Sequence, residues 1–117
     1  MLTVTGASDI YLVAGATDMR LSFNGLTAIV ANALRKDVRD GQLFVFSNRR
    51  RNRLKILFWD RGGLWVCAKR LEKGTFAWPQ TAAVSLELTP EELTLLLGGI
   101  DLRELRPRPW YRPLIHS

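Results

Sequence analysis

At 117 residues and 47% apolar content, the chain has material for one domain with one modest core, and it needs no metal or disulfide staple to fold. Its single cysteine, Cys67, excludes an internal disulfide, and no apolar stretch approaches the roughly 18 residues that span a bilayer. The net charge of +6 is concentrated: residues 49–73 carry nine Lys or Arg against Asp60 and Glu72, while the segments on either side are close to neutral, a distribution that attracts a polyanion.

Residues 10–14 are a short run of strand formers closed by Gly15. Thr17-Asp18-Met19-Arg20 reads as a connector in which Asp18 caps the following turn and Arg20 pairs with it, or offers a further phosphate or partner contact. A helix is predicted from Ser22 as N-cap, with Phe23, Leu26, Ile29, Val30, Ala33 and Leu34 on one apolar face and Arg35 and Lys36 in its last turn. Asp40-Gly41 marks a turn, and residues 42–47 read as a strand buried on both faces. Residues 48–53 form a basic connector to a strand at 54–60, which Arg61-Gly62-Gly63 joins to another at 64–71. Residues 75–78 are a short extended piece stopped by Pro79, and 84–88 alternate as a strand. Thr89, Pro90 and Glu92 together signal a helix start, and Gly98-Gly99 end that helix.

The predicted class is α+β: an antiparallel meander of about four or five strands, one main helix packed on one face and a short C-terminal helix. Residues 1–100 are expected to form a single domain, with residues 101–117 as a basic Pro/Arg-rich tail.

A three-residue loop at Arg61-Gly62-Gly63 would pair Ile56 with Ala68 and Phe58 with Val66 on a core-like face. The other face would then carry Trp59 opposite Trp65, Leu57 opposite Cys67 and Lys55 opposite Lys69. Lysines placed directly opposite repel one another, and a phosphate between them relieves the repulsion. Arg49, Arg50, Arg51 and Arg53 add guanidinium groups at one end of the same strand, and Lys69, Arg70 and Lys73 extend the charge. Cations beside tryptophans suit nucleic acid, whose backbone they attract and whose bases stack on Trp59 or Trp65; the same tryptophans equally suit a core.

These residues also resemble a known family. Tyr11-Leu12, Thr17-Asp18-Met19-Arg20, Phe23-Asn24-Gly25-Leu26, the block from Leu43 through Arg51, the block from Leu54 through Asp60 and the block from Lys69 through Pro79 are similar in order and spacing to the TnpB-type (Orf2-like) accessory proteins of bacterial insertion-sequence-66 transposons. The resemblance implies a small non-catalytic protein encoded beside a separate transposase and needed for efficient transposition. Leu21 stands where those proteins commonly carry lysine, and Val66-Cys67-Ala68 is less aromatic than their third strand.

The residues themselves argue against an enzyme. Asp18, Asp60 and Glu72 are each flanked by basic residues, which does not suit a carboxylate cluster for divalent ions. The only histidine, His116, lies one residue from the end, and no phosphate loop, zinc set or cofactor motif is present. A lone cysteine in an apolar run and an N-terminus without the pattern of a secretory signal fit a cytoplasmic setting. Two functions follow as expectations: a DNA-binding accessory factor gripping phosphates through the basic hairpin region, or a protein-interaction adaptor. The adaptor would dock onto the transposase or self-associate, with Arg20, Trp110 and Tyr111 as candidate partner contacts.

Overall fold

The apolar run at residues 43–46 has no side chain that gains by facing water, so it must lie between two covering layers. In the computed structural model, which describes residues 9–99, this run is Leu43–Ser47 (β2), buried at every position in the middle of a five-stranded sheet. The other strands are Ile10–Ala16 (β1), Arg53–Asp60 (β3), Gly63–Arg70 (β4) and Ser85–Leu88 (β5), in the order β4-β3-β2-β1-β5. Helix Phe23–Asn32 (α1) sets Leu26 and Val30 on Phe44, Phe46 and Leu57 on one face. Helix Pro90–Gly98 (α2) sets Leu93 and Leu96 against Leu12, Val45, Leu54 and Ile56 on the other, together with Phe76. Fully burying each such side chain contributes about 1.5–3 kcal/mol, so both helices are held by their sheet contacts rather than by propensity.

The α+β class is as expected, but the sheet is not a pure meander. β1 and β2 pair in parallel, Ile10 beside Leu43 and Leu12 beside Val45, because α1 carries the chain back along the sheet before β2 begins. The other neighbouring pairs are antiparallel.

Two local expectations for α1 also need correction. Ser22 is its N-cap by position, yet its side chain makes no capping bond; its backbone, at φ −131° and ψ −143°, lies outside the extended geometry that aims a capping hydroxyl at the first turn. The helix also stops before Arg35 and Lys36. Lys36 N–H bonds back to Val30 O, Arg35 takes a left-handed φ of 57°, and the Lys36 ammonium sits 4.2 Å above the Tyr11 ring. Gly25 lets Leu21 lie close against the helix: a Cβ there would meet Leu21 Cδ2 at 2.7 Å and Leu21 Cβ at 3.1 Å, so the leucine would have to shift. α2 begins as its sequence predicts: Thr89 and Glu92 form a reciprocal capping box, with Pro90 in the first turn. Among the described residues no helix is long and apolar enough to cross a membrane.

Candidate nucleic-acid interface

Strand directions gather the basic residues. The C-terminal ends of β1, β2 and β4 and the N-terminal ends of β3 and β5 lie at one end of the sheet. That end receives Arg20, Arg49, Arg50, Arg51, Arg53, Lys55, Lys69, Arg70 and Lys73, with Asp18 and Glu72 as the only carboxylates there among the described residues.

The turn after β2 is built by Asn48, which sequence reasoning passed over. Its Oδ1 accepts from the backbone N–H groups of Asn52 and Arg53, and its Nδ2 donates to Asn52 Oδ1. The local signal was an Asn between a strand and a run of arginines, a side chain suited to closing a turn on its own backbone. Buried Ser47 donates its hydroxyl to Arg53 O and closes the turn from below. This frame exposes Arg49 and Arg50 at the tip.

Arg51 points the opposite way. It adopts a left-handed φ of 59°, and its guanidinium donates to the carbonyls of Ala14, Ser47 and Asn48 at 3.0, 3.4 and 3.2 Å. The same group lies 5.0 Å from the centre of the Trp78 ring, and the Trp78 indole N–H also donates to Ala14 O. Phe76 N–H donates to Arg51 O and Leu71 N–H to Asn52 O, so the turn holds the segment that carries the chain from β4 to β5. Burial pushes the Arg51 pKa down, yet guanidinium stays charged in proteins. Of the four arginines grouped with the connector, Arg51 is the one committed to the protein's own backbone.

The β3–β4 hairpin corrects the predicted register by one residue. Arg61 (φ 50°) and Gly62 (φ 84°) alone form the loop, both left-handed as a two-residue hairpin turn requires, and Gly63 is already paired with Asp60. The sequence offered glycine at two successive positions, and the loop instead placed a non-glycine residue, Arg61, in the left-handed region. The shift separates the residues expected to share one Trp–Lys face. Trp59 pairs with Leu64 on the α1 face, while Trp65 pairs with Phe58 on the α2 face, where their rings stack at 6.3 Å. Trp65 is 55% exposed and Trp59 half-buried, so neither is a core residue. Lys55 and Lys69 also fall on opposite faces; their ammonium groups donate to Leu21 O at 2.7 Å and Leu97 O at 2.6 Å.

The true register creates a different like-charge pair. Arg53 lies directly opposite Arg70, both on the α1 face. They line a groove of about 450 Å³ with Lys55, Lys69, Met19 and Glu72. Arg70 donates to Glu72 at 3.1 Å, whereas Arg49, Arg50, Arg53 and Lys73 have no side-chain partner among the described residues. At the groove's rim the expected Asp18–Arg20 pairing is present: Asp18 accepts from the Arg20 backbone N–H, from Nε and from Nη2, the last at 2.8 Å. Those Arg20 hydrogen bonds bring the Asp18 pKa down to about 2. The same three-residue arrangement recurs at Asp37-Val38-Arg39, far from this end.

Among the described residues no three His, Cys, Asp or Glu side chains group to hold a metal ion. The candidate contacts Trp110 and Tyr111, and the predicted tail, lie outside the described residues.

The family described as IS66 Orf2 like protein matches residues 8–107. The chain is 38% identical over 96 residues to an uncharacterized protein, y4jC, of Sinorhizobium fredii, covering 82% of each. It is 36% identical over 104 residues to a second uncharacterized protein of that organism, y4hO, covering 89% of each. No solved structure gives a significant match.

Proposed function

This chain belongs to the IS66 Orf2-like family, and from that premise we propose that it is a non-catalytic accessory protein of transposition that grips DNA phosphates through the basic end of its sheet, beside a separately encoded transposase. One observation carries the reading: Arg49, Arg50, Arg53 and Lys73 stand without acidic partners among the described residues, at the end of the sheet where Arg53 and Arg70 line a groove and face each other across the β3–β4 ladder. Juxtaposed guanidiniums destabilise a free protein, and a phosphate between them turns repulsion into charge-assisted, bidentate hydrogen bonding. Arg20 and Lys55 stand at the same groove's margin as secondary contacts, each already bonded within the protein.

The test is a salt titration of duplex DNA binding, comparing wild type with a variant in which Arg49, Arg50 and Arg53 are Gln. Binding is expected to weaken steeply with salt. The variant is expected to lose on the order of a hundredfold in affinity and about three units of log–log salt slope, irrespective of DNA sequence. A matched variant at the opposite end, with Arg35, Arg39 and Arg61 as Gln, is expected to change neither. Equal losses in both variants would reduce the interface to net charge, and no binding by wild type at ~50 mM salt would end the proposal.

A further inference from the structure

β4 is an edge strand of eight residues, paired to β3 without interruption from Gly63 to Arg70. The hairpin geometry fixes which of its backbone groups face outward. The pair flanking a two-residue loop, Asp60 and Gly63, exchanges hydrogen bonds, and pairs then alternate along the ladder. Leu71 N–H bonding Asn52 O at the far end confirms the phase. The N–H and C=O groups of Leu64, Val66 and Ala68 therefore point out of the sheet, and no described residue bonds them.

Proteins blunt such edges with charge, proline or a bulge. Residues 63–68 have none of these; their side chains are Leu64, Trp65, Val66, Cys67 and Ala68, with Trp65 55% exposed. β5, the opposite edge, is only four residues long and carries Glu87.

We propose that β4 pairs antiparallel with the β4 of a second copy, centred on Cys67, to make one continuous sheet across two chains. Charge selects both the partner and its direction. A parallel pairing would set two strongly basic sheet ends side by side. Antiparallel pairing instead lays Lys69 and Arg70 of each copy along the other's hairpin, toward its Asp60, and points the two basic ends apart. Centring on Cys67 satisfies the outward groups of Val66 with those of the partner's Ala68. It sets Trp65 opposite the partner's Lys69, a cation over an aromatic face that forms twice by symmetry. Lys69 keeps its bond to Leu97 O, since an ammonium has three donors.

The full chain is tested without nucleic acid. Sedimentation or light scattering is expected to give twice the single-chain mass of 13.3 kDa. Ala68→Pro removes only an outward N–H, a substitution an edge strand tolerates, and is expected to give single-chain mass with unchanged circular dichroism. Mild oxidation is expected to link wild-type chains in pairs through Cys67, and Cys67→Ser to abolish the link. Amide exchange at Leu64, Val66 and Ala68 is expected to slow as protein concentration rises. A single-chain mass at every concentration overturns the proposal. So does exchange protection independent of concentration, which would mean that the chain's own residues cover the edge.

Discussion

The two ends of the sheet contain the same kind of residue and treat it differently. At the end away from the basic turn, Asp9, Asp37, Asp40, Asp60, Glu91 and Glu92 stand among Arg35, Lys36, Arg39 and Arg61. There Arg39 is held by Asp37, Lys36 lies over Tyr11, and Glu92 closes the cap of α2. At the basic end, among the described residues, only Arg20 and Arg70 have carboxylate partners, Arg51 is turned inward, and Arg49, Arg50, Arg53 and Lys73 are exposed without an acidic partner. The Asp-x-Arg module appears at both ends with nearly the same bonds, so it is a device for closing turns and does not by itself mark a site. What distinguishes the ends is the balance of charge: Arg35 and Arg61 at the far end also lack a side-chain partner among the described residues but stand among six carboxylates, whereas the basic end sets its cations against Asp18 and Glu72.

The largest stability effect expected from breaking this contrast is at Arg51. Arg51→Ala removes three charge-assisted bonds, to Ala14 O, Ser47 O and Asn48 O, and the cation under Trp78, while facing the same backbone cost of a left-handed φ. The expected loss is about 2–3 kcal/mol, read as a shift in denaturant midpoint, with the salt slope of DNA binding in the remaining folded protein unchanged. A variant as stable as wild type with a slope reduced by about one would place Arg51 among the phosphate contacts and erase the division between inward and outward arginines.

Much of this was legible in the sequence, and the exceptions have physical causes. The α2 cap was readable because Thr89, Pro90 and Glu92 act within one turn, and β2 because an unbroken apolar run excludes an exposed face. The parallel β1–β2 pair follows from packing α1 across the sheet, a tertiary event that the strand pattern does not record. The hairpin register hinged on whether Arg61 or a glycine would take the left-handed position, and one residue of difference sent Trp59 and Trp65 to opposite faces. The charge excess was visible as composition. That Arg51 differs from Arg49 and Arg50 was not, because its carbonyl partners include Ala14, 37 residues away in sequence.

A smaller effect, of opposite sign for stability and function, is expected at Arg53. Facing Arg70 with no carboxylate partner among the described residues, Arg53 is expected to weaken the free hairpin. Arg53→Gln is expected to stabilise the protein by ~0.2–1 kcal/mol at low salt while weakening DNA binding. Added salt shrinks the stabilisation by screening the repulsion it relieves. A destabilised Arg53→Gln would mean that the groove's cations are already compensated, and the unpaired character of this end would be overstated.

The smallest effect concerns the module common to both ends. Asp18 and Asp37 titrate at about 2 in the folded chain, each because its arginine donates side-chain hydrogen bonds to the carboxylate, against an ordinary value of 3.8. A carboxyl that holds its proton less tightly when folded stabilises the fold fully above its unfolded value, and that contribution fades as the pH falls through its folded value. Both carboxylates are exposed and screened, so the acid loss is expected to be slight, confined between about pH 4 and pH 2, and nearly equal at the two ends. Carboxyl carbon shifts followed by NMR would read both midpoints directly, with Asp18→Asn and Asp37→Asn as assignments. Equal depressed midpoints keep Arg20 in the paired set, a structural partner like Arg39. An Asp18 midpoint near the ordinary value beside a depressed Asp37 would instead release Arg20 to the interface, and the difference between the ends would extend to the one motif they share.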